Sequence, residues 1–71
     1  MINEIKLGIC RHYKGGEYIV LGCCKHSETL ENLVVYQDLH NQKQIWVRPI
    51  DMFLETVDIN GKKVSRFKYV S

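Results

Sequence analysis

Long apolar runs, secretion signals and clusters of basic residues are all missing from this chain of 71 residues. No stretch of 18 apolar residues occurs, so the sequence offers no transmembrane helix. The first ten residues include Glu4 and no apolar block of the length that a secretory signal needs. We therefore expect a cytoplasmic protein that has no membrane partner.

Cys-x-x-Cys pairs, which are typical of zinc sites, are also missing, and the odd number of cysteines does not suit a disulfide framework. Cys10 stands apart from the adjacent Cys23 and Cys24. Neighbouring residues on a strand point to opposite faces, so Cys23 and Cys24 cannot both reach Cys10. The three histidines could supply zinc ligands, but their spacing does not favour a metal site. We expect reduced thiols, no metal and no cofactor.

The charge balance restricts the function only weakly. Ten basic and eight acidic residues give a formal net charge of +2, and the basic residues are spread along the chain. A small positive charge permits a nucleic-acid partner without indicating one. Any such prediction must rest on particular side chains.

Short segments rich in β-branched and aromatic residues recur along the chain at regular spacing and predict strands. The predicted strands are residues 7–13, 18–26, 33–39, 45–49, 55–59 and 62–70. Pro49 favours one helical turn that ends near Phe53, and Asn60-Gly61 predicts a type I′ hairpin turn. The polar segment 26–32 has no capping box, so it is a connection with at most one helical turn.

This pattern predicts an all-β fold, either a small SH3-like antiparallel barrel or a strongly bent sheet with one short helical turn. We expect a single small domain over residues 1–71 with an ordered core from about 7 to 70. The apolar residues expected in the core are Ile19, Leu21, Val35, Val47, Phe53, Val57 and Phe67.

A lysine followed by two glycines at residues 14–16 could belong to a phosphate-binding loop or to a tight turn. A phosphate-binding loop places Gly-Lys-Ser/Thr before a helix, whose N-terminus then faces the anion. Here the lysine precedes the glycines and a predicted strand follows. We therefore predict a hairpin turn in which Gly15 and Gly16 supply positive φ angles.

Four longer stretches together resemble a known family. They are RHYKGGEYIVLG, HSETLENLVVYQDL, IWVRPIDMFLETV and NGKKVSRF. In this order they are similar to the bacterial family known as Domain of Unknown Function 1653. The resemblance runs from about Gly8 to Phe67 and implies a compact bacterial β protein. It carries over no catalytic residue, because the family has no assigned activity.

The candidate site is a group of polar and aromatic side chains on predicted strands and their connections. Its members are His12, Tyr13, His26, Glu28, Tyr36, Trp46, Arg48 and Arg66. Trp46 and Arg48 should share one face of a strand, and Tyr36 on the neighbouring strand should reach the same face. There an aromatic ring can stack on a ligand while a guanidinium pairs with an anion. The alternative is structural, with Glu28 paired to Arg48 or Arg66 inside the fold.

These residues favour a non-catalytic binding module, a monomer or weak dimer. The preferred ligand is single-stranded nucleic acid or a nucleotide, because stacking beside an arginine is the most distinctive chemistry present. Peptide or protein recognition is the next hypothesis. An enzyme is the third, and it would require a cysteine thiol within hydrogen-bond reach of His12 or His26.

Overall fold

The computed structural model describes residues 5–41 and 43–71. The strands and the helix are β1 (Gly8–His12), β2 (Glu17–Lys25), β3 (Asn32–Asp38), β4 (Ile45–Pro49), α1 (Ile50–Phe53), β5 (Thr56–Ile59), β6 (Lys62–Ser65) and β7 (Phe67–Tyr69). No described helix has the length and apolar character required to cross a bilayer.

The strands form two antiparallel sheets. The larger has five strands in the order β4-β3-β2-β1-β7, and the smaller pairs β5 with β6. The expected all-β fold with one short helix is confirmed. Over the described residues the sheets do not close into a barrel. The SH3-like barrel is therefore not confirmed.

Two tight turns show how glycine and asparagine set the hairpins. Asn60 and Gly61 have φ values of 52° and 81°, as a type I′ turn requires, and they join β5 to β6. In the β1–β2 turn only Gly15, with φ of 105°, is left-handed. The prediction that Gly16 also has positive φ was wrong, since one left-handed residue suffices there.

The segment expected to form one long C-terminal strand is divided at Arg66 into β6 and β7. The N–H of Arg66 donates to the Glu55 carbonyl, and the Arg66 carbonyl accepts from the Tyr13 N–H, both at 2.9 Å. Arg66 therefore connects the ends of both sheets. The chain bends at this residue and passes from the small sheet to the edge of the large one.

The buried core includes several aromatic rings and lies against one face of the large sheet. Its residues are Cys10, Val20, Val34, Tyr36, Phe53 and Phe67. Leu33 is also buried but lies outside this cluster. The rings of Phe53 and Phe67 stack at a centroid distance of 4.3 Å, which joins α1 to β7. The predictions that Phe53 and Phe67 are buried are confirmed.

Other core predictions were wrong because alternation alone assigned the inner face. Leu21 is 46% exposed and Val47 is 56% exposed. Val20 lies opposite the buried Tyr36, so Val20 rather than its neighbour Leu21 points into the core. The remaining members of the expected core, Ile19, Val35 and Val57, are only partly buried.

Candidate functional site

Trp46 and Arg48 lie on β4, an edge strand of the large sheet. In the β3–β4 register Trp46 is opposite Tyr36 and Arg48 is opposite Val34. Directly opposed residues share one face, so both β4 side chains lie on the face that holds Tyr36 and Val34. Trp46 is 48% exposed at the margin of the core. This ring is therefore partly accessible to a ligand.

Arg48 is held in place by core aromatic residues. Its Nε donates to the Tyr36 hydroxyl at 3.2 Å, and its guanidinium carbon lies 5.7 Å from the centroid of the Phe67 ring. Within residues 5–41 and 43–71, Arg48 forms no ion pair with a carboxylate. The guanidinium is thus positioned by Tyr36 and Phe67 while its charge is not neutralised.

Tyr36 is buried in the core, although the sequence suggested an accessible ring beside Trp46. It is 4% exposed and packs against Tyr18, Phe53 and Phe67. A ring this buried cannot stack on a ligand. Its hydroxyl instead orients Arg48, so Trp46 is the aromatic platform of this face.

His12 lies next to this group at the end of β1. Its ring packs edge-on against Phe67 at 4.9 Å and at a tilt against Tyr13 at 4.6 Å. The Nδ1 atom accepts from the Lys14 N–H at 3.2 Å, so the neutral ring carries its proton on Nε2. Burial first, and then the charges of Arg66, Arg48 and Lys14, lower the pKa of His12. The neutral ring offers one N–H donor.

Arg66 has a carboxylate partner that the sequence did not suggest. Its terminal nitrogen Nη2 donates to Glu55 at 2.7 Å, and its buried Nε has no hydrogen-bond partner among the described residues. The predicted alternative, in which Glu28 pairs with Arg48 or Arg66, was wrong, because Glu28 lies exposed in the β2–β3 connection. The structural role proposed for Glu28 belongs to Glu55, which directly precedes β5.

His26 and Glu28 form part of a local turn. The Nδ1 atom of His26 accepts from the Glu28 and Thr29 N–H groups at 3.1 and 3.3 Å. Over the described residues neither side chain has a hydrogen bond, ion pair or ring contact with Trp46 or Arg48. The structure therefore separates these two candidates from the remaining ones.

The thiol groups are poorly placed for nucleophilic catalysis. Cys10 is buried, and burial raises its pKa to about 11. Cys23 and Cys24 are exposed, and neither makes a hydrogen bond to a histidine in the described part of the chain. In the same part of the chain no group of three His, Cys, Asp or Glu side chains could hold a metal ion.

Two features of the site could not be read from the sequence. The position of Phe67 beneath Arg48 and the pairing of Glu55 with Arg66 both join residues far apart in the chain. A local signal existed only for Phe67, which alternation placed on an inner face. No local signal marks Glu55.

Comparison with known proteins fits this architecture. A family model described as a protein of unknown function (DUF1653) matches residues 8–69. The chain belongs to the DUF1653 family. A solved structure of a DUF1653 protein from Bordetella bronchiseptica is 36% identical to this chain, with a TM-score of 0.85. The match covers 94% of this chain and 88% of that one. No curated protein matches this chain.

Proposed function

We propose that this DUF1653 protein is a non-catalytic module that binds single-stranded nucleic acid. The binding surface is formed by Trp46, Arg48 and His12, and we call it the Trp46 face. The observation that carries the proposal is the pairing of a half-exposed tryptophan with an arginine that has no carboxylate partner in the described chain.

Each part of the Trp46 face has a separate role. The indole ring of Trp46 stacks on a base, a contact that tolerates any sequence because every base has a π face. The guanidinium of Arg48 pairs with a phosphate, and Tyr36 keeps it in position. The Nε2–H of His12 supplies a further donor at the other end of the face. Arg48 and His12 therefore act on the backbone, and Trp46 acts on the bases.

The proposal is tested with the fluorescence of Trp46, the only tryptophan in the chain. Adding oligothymidylate at low salt should quench the emission, because a stacked base contacts the indole directly. The apparent affinity should fall as salt rises, since Arg48 displaces counterions from the phosphates. Stacking contributes about 1–3 kcal/mol per base, so Trp46→Ala should weaken binding by about tenfold or more in an amide NMR titration.

A matched control is Ile45→Ala, which removes an exposed side chain from the neighbouring position on the opposite face of β4. This variant should bind the oligonucleotide like the wild-type protein. Equal losses in Trp46→Ala and Ile45→Ala, or wild-type spectra at millimolar oligonucleotide, would contradict the proposal. Thermal unfolding of both variants checks that the fold is retained.

A second function, binding of an extended peptide, is favoured by the open edge of β4. The Asp38 N–H donates to the Gln44 carbonyl at 2.9 Å, where β3 and β4 begin to pair. Hydrogen-bonded pairs alternate along an antiparallel ladder, so the backbone N–H and C=O groups of Ile45 and Val47 point away from β3. An extended peptide could add to this edge as a sixth strand.

Peptide addition has its own signature. It would slow amide hydrogen exchange at Ile45 and Val47, whereas stacking on Trp46 would leave those amides unprotected. Exchange measured with and without a saturating peptide therefore separates the two functions. We place either activity in the bacterial cytoplasm.

A further inference from the structure

A second concave region lies at the corner where the chain bends between β6 and β7. It is a pocket of about 400 Å³, a size typical of sites for small molecules. We call it the corner pocket, and its principal lining residues are Arg11, His12, Tyr13, Val64, Lys68 and Tyr69. It shares only His12 with the Trp46 face.

The corner pocket has an excess of positive charge. Arg11 and Lys68 line it, and within residues 5–41 and 43–71 no aspartate or glutamate does. The two cations are direct cross-strand partners on β1 and β7, an arrangement that destabilises a sheet unless another group compensates. Proteins often keep such a local loss of stability where the charges are needed for binding.

The described residues offset the repulsion between Arg11 and Lys68 only in part. The Arg11 guanidinium donates to Glu17 at 3.0 Å, from the side of β2. Lys68 has no ion pair within residues 5–41 and 43–71. Lys14 adds another cation beside Tyr13, 5.8 Å from the centre of its ring. A bound anion would supply the negative charge that the described lining residues of the pocket lack.

The walls of the corner pocket suit a flat, partly apolar group beside that anion. Tyr13 and Tyr69 are among its lining residues, and Val64 of β6 adds an aliphatic one. The Nε2–H of His12 adds one hydrogen-bond donor, since Nδ1 is already occupied by the Lys14 N–H. Aromatic lining residues and a lysine that has no ion pair in the described chain together match a heterocyclic ring that carries a phosphate.

We propose that the corner pocket binds a nucleoside monophosphate unit, with the phosphate at Lys68 and the ring against the tyrosines. Such a unit occurs as a free nucleotide and as the phosphorylated end of a nucleic-acid strand. Both present the same phosphomonoester. The proposal does not depend on the Trp46 face, because Lys68, Tyr69 and Val64 are not part of it.

The first experiment is an amide NMR titration with adenosine monophosphate, with adenosine and with inorganic phosphate. The monophosphate should shift the Lys68, Tyr69 and Val64 signals and bind about tenfold more tightly than adenosine. Lys68→Gln should weaken the monophosphate by about fivefold, as expected for one partly exposed charge contact. Lys62→Gln, a lysine of β6 outside the pocket lining, is the matched control and should have no effect.

A second variant, Val64→Phe, fills the pocket without changing its charge and should also reduce binding. Trp46→Ala should bind the monophosphate like the wild-type protein. The corner pocket can therefore be tested even if the Trp46 face does not bind single strands. Equal affinity for adenosine and its monophosphate, or equal losses in Lys68→Gln and Lys62→Gln, would overturn the proposal.

The source of the phosphomonoester is decided with two oligonucleotides in the Trp46→Ala background. One carries a 5′-phosphate and the other, of the same sequence, does not. Tighter binding of the phosphorylated strand than of adenosine monophosphate supports recognition of a strand end. A preference for the free monophosphate over the phosphorylated strand supports a free nucleotide. If the amide signals that shift lie outside the corner pocket in every titration, the proposal is contradicted.

Discussion

The two edges of the five-stranded sheet differ in kind. At one edge, β4 exposes Ile45, Trp46 and Val47 to solvent. At the other edge, β7 continues from a bend at Arg66 and places Lys68 beside Arg11. One edge thus presents apolar surface with an open backbone ladder, and the other presents cations around a pocket.

This difference shows how one small sheet can offer two kinds of binding surface. Both edges depend on the same core ring, since Phe67 of β7 lies beneath Arg48 of β4 and beside His12. A stacking platform needs an exposed ring, and an anion pocket needs a cation that is not already neutralised, as Lys68 is not within the described residues. The sheet curves so that Phe67 contacts residues of both edges.

Phe67→Ala should have the largest effect on stability, because Phe67 contacts residues that belong to both edges of the sheet. Phe67 stacks on Phe53 at 4.3 Å and is 9% exposed, so truncation should lower the free energy of unfolding by about 3–5 kcal/mol. Urea denaturation measures the loss. Val70→Ala, at a residue 45% exposed, should cost less than about 1 kcal/mol. If Phe67→Ala does not fold, Phe67→Leu should show a smaller loss of the same sign.

Loss of the Glu55–Arg66 ion pair, which lies at the bend before β7, should lower the free energy of unfolding by a smaller amount. Glu55→Gln should cost about 1 kcal/mol, because Glu55 is half exposed and solvent screens its pairing with Arg66. Glu28→Gln is the matched control, and it should cost less than about 0.5 kcal/mol because Glu28 has no ion pair in the described chain. A larger loss in Glu28→Gln than in Glu55→Gln would restore Glu28 as the partner of an arginine.

Acid should weaken the β7 side of the sheet through His12. Its pKa is lowered in the folded protein, so the unfolded chain binds the proton more readily. The stability that this difference contributes is fully present above the ordinary pKa of about 6.5 and is lost as the pH falls below it. Denaturation between pH 8 and 5 should therefore show a shallow decline that His12→Gln reduces. NMR should place the pKa of His12 below 6.5, and a pKa above 6.5 would reverse this prediction.

The smallest effect is expected at the open β4 edge. Val47→Lys should change the free energy of unfolding by less than about 0.5 kcal/mol, because Val47 is 56% exposed. Urea denaturation and sedimentation together test this. A loss above about 2 kcal/mol, or a change in molecular mass in solution, would show that another chain covers this edge and that the contrast between the edges is smaller than described.

Much of the local structure could be predicted from short-range patterns. Asn60-Gly61 specified its hairpin because both residues adopt positive φ at little cost. The burial of Leu21 was wrongly predicted, since alternation shows which residues share a face but not which face is covered. Trp46 and Arg48 were correctly placed on one face, because residues two apart on a strand point the same way.

The sequence by itself determined the all-β class, the positions of the tight turns, and the shared face of Trp46 and Arg48. These properties follow from backbone preferences and from the two-residue period of a strand. Only the tertiary structure decided that Tyr36 is buried, that Glu55 pairs with Arg66 and that Arg11 lies beside Lys68. Those contacts depend on strand register and on the bend at Arg66, which bring together residues that no local pattern connects.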